Sequence, residues 1–311
     1  MTPVEPAPSR TGLSRQTFGM GLGFIGITIF GGTLPATRLA VTGLDPFFIT
    51  FGRAAASGLL SAALLLLLRR RWPNIRQIRT MLICIVTLVL GFPGLMALAM
   101  LTVPAAHGGV VLGILPLTTA AAASVILGER PSLRFWLLAS LGTTVVVAFA
   151  LHDSGGEIAI GDVYLFLAAI STSIGYVFSA DLSHEMPGWE VISWILVLAL
   201  PLTLPVALWL WPANPGAVPA SAWMAFAYVS IFSMFVGFFA WNAGLVLGGV
   251  ARVSQVQLLQ TFVTLGLSAV INGEHVGPST IAVAALVVAI VAAGRNARIA
   301  QKSPKPGSAL G

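Results

Sequence analysis

Charge is scarce in this chain. Only 8% of its 311 residues are Asp, Glu, Lys or Arg, where soluble globular proteins carry about 25%. None occurs between Arg79 and Glu129 or between Glu190 and Arg252. An ordinary water-facing surface cannot be built from such a chain, and disorder is excluded for the opposite reason, since it needs low hydrophobicity and high charge. Cysteine is almost absent. Cys84 is the single one and sits in an apolar run, so no intramolecular disulfide forms and no redox compartment can be read from it.

Several chemical signatures are missing too. There is no Walker loop, so ATP-driven work by this chain alone has no support, and there is no nucleophile elbow. His184-Glu185 lacks a second His at metalloprotease spacing. Gly21-x-Gly23-x-x-Gly26 spells a dinucleotide fingerprint but lies inside an apolar run with no strand before it. Its expected role is close helix packing, as for Gly109/Gly113 and Gly244/Gly248. No catalytic residue, metal site or cofactor is expected.

What is abundant is apolar: 57% of residues are hydrophobic, with 33 Gly besides. An integral membrane protein is the class that remains. The net charge of +6 and pI near 10.4 do not read as a nucleic-acid footprint, because the basic residues sit in short loops between apolar runs. Splitting at charges and turn residues gives ten segments near the ~20 residues that cross a bilayer: 18–40, 47–68, 80–101, 107–127, 134–152, 161–181, 190–211, 222–246, 252–272 and 276–295. Uncharged turns at Thr102-Val103-Pro104 and Trp211–Pro215 split the long runs. The first span is too long for a signal-peptide core and reads as a retained helix.

Orientation follows from Lys and Arg. Arg10 and Arg15, the loop Arg69–Arg79, Arg130 and Arg134, Arg252, and Arg295 to Lys305 all fall on one side of a ten-span chain. The opposite loops hold Asp45, His152, Asp153, Glu157, Glu274 and His275, and no Lys or Arg. A multi-pass protein of the cell inner (plasma) membrane with both termini cytoplasmic is expected.

Residues Val111–Glu129 resemble Val256–Glu274 in register, with Val111/Val256, Thr119/Thr264, Val125/Val270 and Gly128-Glu129/Gly273-Glu274 coinciding. One further span follows each. The halves therefore read as five-helix repeats, and an odd number of spans turns the second upside down, the architecture that opens alternately to either side of a midplane site. The expected fold is all-α, ten transmembrane helices as two inverted five-helix repeats. Its divisions are an N-terminal tail (1–17), a first repeat (18–152), an external linker (153–160), a second repeat (161–295) and a C-terminal tail (296–311). Glu129 and Glu274 should lie at opposite faces, each with a structural role at a helix terminus.

These apolar spans ending in Gly-Glu, twice in one chain, are joined by Ile29–Pro35 with Arg38, Phe51-Gly52-Arg53, and Ala240–Gly244 with Ala251–Ser254. Together they resemble EamA-type members of the drug/metabolite transporter superfamily over residues 18–295. The resemblance implies a secondary carrier, of a kind that often exports amino acids and other small metabolites. Phe30, Thr172-Ser173 and Gln260-Thr261 depart from the common pattern and would reshape the cavity.

Candidate solute-binding residues come from helix faces. In span 9, Gln257, Gln260 or Thr261, Thr264 and Ser268 recur at three-to-four spacing and share a face, which is costly in lipid and so points inward, either lining a cavity or joining helices. In span 8, Tyr228, Phe232, Phe235, Phe239 and Asn242 form a stripe with Trp241 beside it. Tyr228, Trp241 and Asn242 carry polar handles. Tyr176, Thr172, Thr33, Thr37 and Met96, the repeat-equivalent of Trp241, complete the set. Pro35, Pro93 and Pro116 can free backbone groups to line a cavity. Arg38 and Arg53 are expected near helix ends, snorkelling or satisfying carbonyls, although either could attract an anionic group, and His107 is expected as a helix-end histidine.

The leading expectation is an exporter of a small amphipathic metabolite such as an amino acid. A membrane-embedded lipid-modifying enzyme and a non-transporting sensor are the rival classes. The implied partners are a small-molecule solute and the lipid bilayer, with a homodimer left open.

Overall fold

Local chemistry sets the helix ends. Asp45 accepts from the amides of Phe47 and Phe48 at 2.8 and 3.0 Å, with Pro46 opening the helix behind it. Asn74 and Gln77 form a reciprocal capping box, each accepting from the other's amide at 2.9 Å. That box starts a helix at Ile75, so Arg76 and Arg79 lie on a helix and not in the expected loop.

The structure is a computed structural model that describes residues 15–128, 130–153, 159–248, 256, 259–295 and 299–300. Among these, seven helices are long and apolar enough to cross a membrane: α1 (Thr17–Ala40), α2 (Pro46–Leu67), α3 (Ile75–Ala99), α4 (Ala105–Leu127), α6 (Ile160–Leu182), α7 (Gly188–Trp209) and α8 (Ala220–Gly244). Between and after them lie α5 (Leu133–Asp153), α9 (Gln260–Asn272) and α10 (Pro278–Arg295). Short elements complete the described residues: a 3₁₀ turn at Pro215–Ala217 and a two-residue antiparallel pairing of Arg130–Pro131 with Ile299–Ala300. Glu129, Arg252 and Gln257, singled out in the sequence, lie outside the described residues.

The outer surface needs lipid. Val125 and Val270 are 81% and 83% exposed, and Leu66, Leu67 and Leu133 are also exposed. The interior carries small and polar side chains, as helix association in a bilayer requires: Ser57, Ser61, Ser193, Thr203 and Ser268 are buried. At Gly244 a Cβ would lie 2.6 Å from the Gly23 amide nitrogen, so α1 and α8 touch backbone to backbone there.

Irregular helix geometry recurs in the second half of the chain. Gly128 and Gly273, 145 positions apart, both end their helices in the left-handed conformation (φ 68° and 65°), which glycine adopts without steric cost. A π-helical stretch at Ile85–Gly91 in α3 has its counterpart at Tyr228–Val236 in α8. A 3₁₀ turn at Leu112–Ile114 interrupts α4.

Candidate functional site

Pro35 lacks an amide hydrogen, so the Gly31 carbonyl one turn earlier has no helical donor. The Thr264 hydroxyl donates to it at 3.0 Å. Two residues back, the Tyr228 hydroxyl donates to the Ile29 carbonyl at 2.8 Å. Opened at Gly32, α1 is thus held by side chains from α8 and α9 and presents Thr33 to the middle of the bundle.

A cavity of about 720 Å³ occupies that middle, a size suited to a small organic molecule. Its wall draws on α1 to α4 and α6 to α10, and it extends to the turn Ser183–Gly188. Most of the wall is apolar, including Phe30, Leu88, Phe92, Ile192, Met234 and Phe238. Phe30 packs edge-on against Phe238 at 5.1 Å.

Of the residues expected to contact a solute, Thr33, Met96, Tyr176, Trp241, Asn242, Gln260 and Thr261 all line this cavity. Gln257 lies outside the described residues. Tyr228 does not line it. Its hydroxyl is engaged with Ile29, and its ring sits against Gly32, where a Cβ would come within 2.4 Å of the hydroxyl oxygen. The physical reason is the π-helical stretch that Tyr228 begins. Its wider turn breaks the three-to-four spacing on which the stripe was built, so the wall receives the adjacent pair Ser233 and Met234, then Phe238, then the adjacent pair Trp241 and Asn242. Phe232 faces outward instead.

Two arginines part company. Arg38 donates to the Met100 carbonyl, as a helix-end arginine should. Arg53 neither snorkels nor caps: it lies two turns inside α2, is 4% exposed and forms part of the cavity wall. Its Nη2 donates to Ser233 Oγ at 3.3 Å, and Ser233 shares a 2.8 Å hydrogen bond with Thr33. Its Nε and Nη1 have no partner among the described residues. The signal in the sequence was its depth in an apolar run. Ser233 had no such signal, because the π turn brings it inward.

The far ends of α4 and α6 are closed by polar pairs. Glu274 accepts from the Ala105 and Ala106 amides, both at 2.8 Å, capping α4 from the loop after α9, where a carboxylate also suits the positive helix end. His107 is not the simple helix-end residue expected, since it pairs with buried Asp162. At the other end, Gln77 donates to Glu185 at 2.7 Å and Arg70 lies 3.6 Å from Glu190. The arginine-rich segment after α2 therefore shares its end of the bundle with the Ser183–Gly188 turn where the cavity emerges.

Comparison with known proteins agrees with this architecture. The EamA-like transporter family matches residues 17–151 and again 159–293. An uncharacterized transporter of Bacillus subtilis (strain 168), YdeK, is 44% identical over 284 residues, which is 91% of this chain and 99% of that protein. A solved crystal structure superimposes with a TM-score of 0.60 at 22% identity, covering 90% of this chain and 98% of that one. That likeness concerns the fold alone.

Proposed function

Because the chain belongs to the EamA-like transporter family, we propose that it is a secondary transporter that exports a small amphipathic metabolite, such as an amino acid, by alternating access. The observation that carries this reading is the central cavity, lined from both halves of the chain and reaching the Ser183–Gly188 turn. Thr33, Asn242, Gln260 and Thr261 would orient the polar end of the solute, and Trp241, Met96 and the apolar wall would hold its body.

In this proposal ten spans form two inverted five-helix repeats, 18–152 and 161–295. Support comes from the glycine ends, 145 positions apart, and from the π-helical stretches in α3 and α8, whose last residues Gly91 and Val236 are also 145 apart. The termini and the Arg69–Arg79 segment face the cytoplasm of a cell whose inner membrane holds the protein. Since that segment and the cavity opening share one end, this conformation opens inward, ready to load cytoplasmic solute. Rocking of one repeat against the other would open the opposite end.

The test is uptake into proteoliposomes screened with amino acids, polyamines, nucleosides and toxic organic cations. Saturable, protein-dependent uptake of an amphipathic metabolite is expected. Folded protein in sealed vesicles that moves none of the panel would overturn the reading.

A further inference from the structure

We propose that Arg53 is the anion subsite of the central cavity and that it takes the carboxylate of the solute. This rests on the transporter reading for what the cavity is used for, but not for what it binds.

The guanidinium is a cation with unused bonding capacity. Arginine has five N–H donors and stays charged, yet the single protein partner of Arg53 among the described residues is Ser233, at 3.3 Å. That is beyond the usual range for N–H···O, and a charge-assisted bond to a carboxylate would close to about 2.7–2.9 Å. Among the described residues, no Asp or Glu lines the cavity. A buried charge without a counter-charge is costly, and a deep arginine in a membrane protein normally faces a partner or a wet pathway. Here the missing partner can come with the solute.

The same wall specifies the kind of anion. One guanidinium matches one carboxylate in a two-bond fork, whereas a phosphate dianion would leave surplus negative charge in an apolar cavity. Beside Arg53 the paired hydroxyls of Thr33 and Ser233 offer further hydrogen bonds. Gln260 and Asn242 supply neutral amides elsewhere in the wall, suited to an ammonium or hydroxyl group without demanding one. With a cation and no acid among the described wall residues, polyamines and lipophilic cations are disfavoured. The solute class is a compact organic acid or zwitterion with an apolar body.

The experiment compares three probes that share one apolar body: 4-methylpentanoate, the neutral 4-methylpentanamide, and isopentylamine. Each is titrated calorimetrically into the full chain in lipid nanodiscs. The carboxylate should bind about tenfold or more tighter than the amide, with the amine weakest. Arg53→Gln should abolish that preference, and Arg53→Lys, which keeps the charge but loses the fork, should retain part of it. Equal affinities of the wild-type chain for carboxylate and amide, or no saturable carboxylate binding, would overturn the proposal without recourse to any variant. So would a monodisperse Arg53→Gln protein that keeps the preference. Should Arg53→Gln aggregate, Arg53→Lys decides: a preference reduced threefold or more supports the subsite, and an unchanged one overturns it. Carboxylate-selective binding with no transport in vesicles would remove the transporter reading alone. Transport of amines or neutral solutes with no carboxylate preference would remove the subsite alone.

Discussion

His107 Nε2 lies 2.6 Å from Asp162 Oδ1, with both side chains buried at the first turns of α4 and α6. The Phe149 ring stacks on the imidazole at 5.0 Å. About 30 Å of helix, at ~1.5 Å per residue, separates this pair from the turn where the cavity emerges. With Glu274 on the α4 amides and Arg38 on Met100, it fastens the closed end of the bundle.

Removing that pair should loosen the closed end. Asp162→Ala takes from His107 its 2.6 Å partner, for a loss of about 1–3 kcal/mol. The double variant His107→Ala/Asp162→Ala should lose less than the sum of the singles, since the residues are in contact. Thermal unfolding of the four proteins in detergent measures the coupling, and strictly additive losses would contradict it.

Glu274→Gln keeps the length of the cap but removes its charge. Two charge-assisted bonds to the start of α4 become at most one acceptor's worth of neutral bonding, a loss of about 0.5–2 kcal/mol. If the cap helps hold this end shut, cysteines placed at residues 102 and 104 should become more reactive in the variant. Unchanged reactivity together with unchanged stability would show the cap to be dispensable.

Gln260→Leu installs the residue of its repeat-equivalent, Leu115, which also lines the cavity. Membrane insertion should be preserved, because a polar group is lost. Solute affinity should fall by about 1–3 kcal/mol where a buried polar group of the solute is left unpaired. Equal affinity and selectivity in wild type and variant would leave Gln260 as wall filler.

Gly244→Val should disrupt assembly of α1 against α8. Even the first added carbon would lie 2.6 Å from the Gly23 nitrogen, which is backbone and cannot turn aside. Overpacking of this kind costs about 1–3 kcal/mol or more. Gly266→Ala serves as the control, since a Cβ there meets nothing within 4 Å. Similar melting temperatures for the two variants would refute the close contact.

Sidedness can be tested with single cysteines after Cys84→Ala. Residues in the Arg69–Arg79 segment and those near Asp153 should react with membrane-impermeant reagents from opposite sides of sealed cells. Labelling of both from one side would break the proposed orientation.

Much of this was legible in the chain before any tertiary contact was known. Scarce charge and long apolar runs required lipid, because exposed side chains such as Val125 and Val270 have no other compatible solvent. The repeated Gly-Glu endings marked helix stops, and the left-handed glycines at 128 and 273 realise them. Thr33, Met96, Gln260 and Trp241 reached the cavity wall because polarity or repeat position within an apolar helix is a local property, readable from one segment at a time. What only the tertiary structure decided is how each helix is rotated against its neighbours. The π turn at Tyr228–Val236 shifted that rotation, spending Tyr228 on the Ile29 carbonyl and turning Ser233 inward. The pairing of His107 with Asp162, 55 positions away, and the lack of a partner for Arg53 Nε and Nη1 among the described residues are likewise relations between helices. Periodicity describes one helix at a time, so it cannot report where a second helix places its partner.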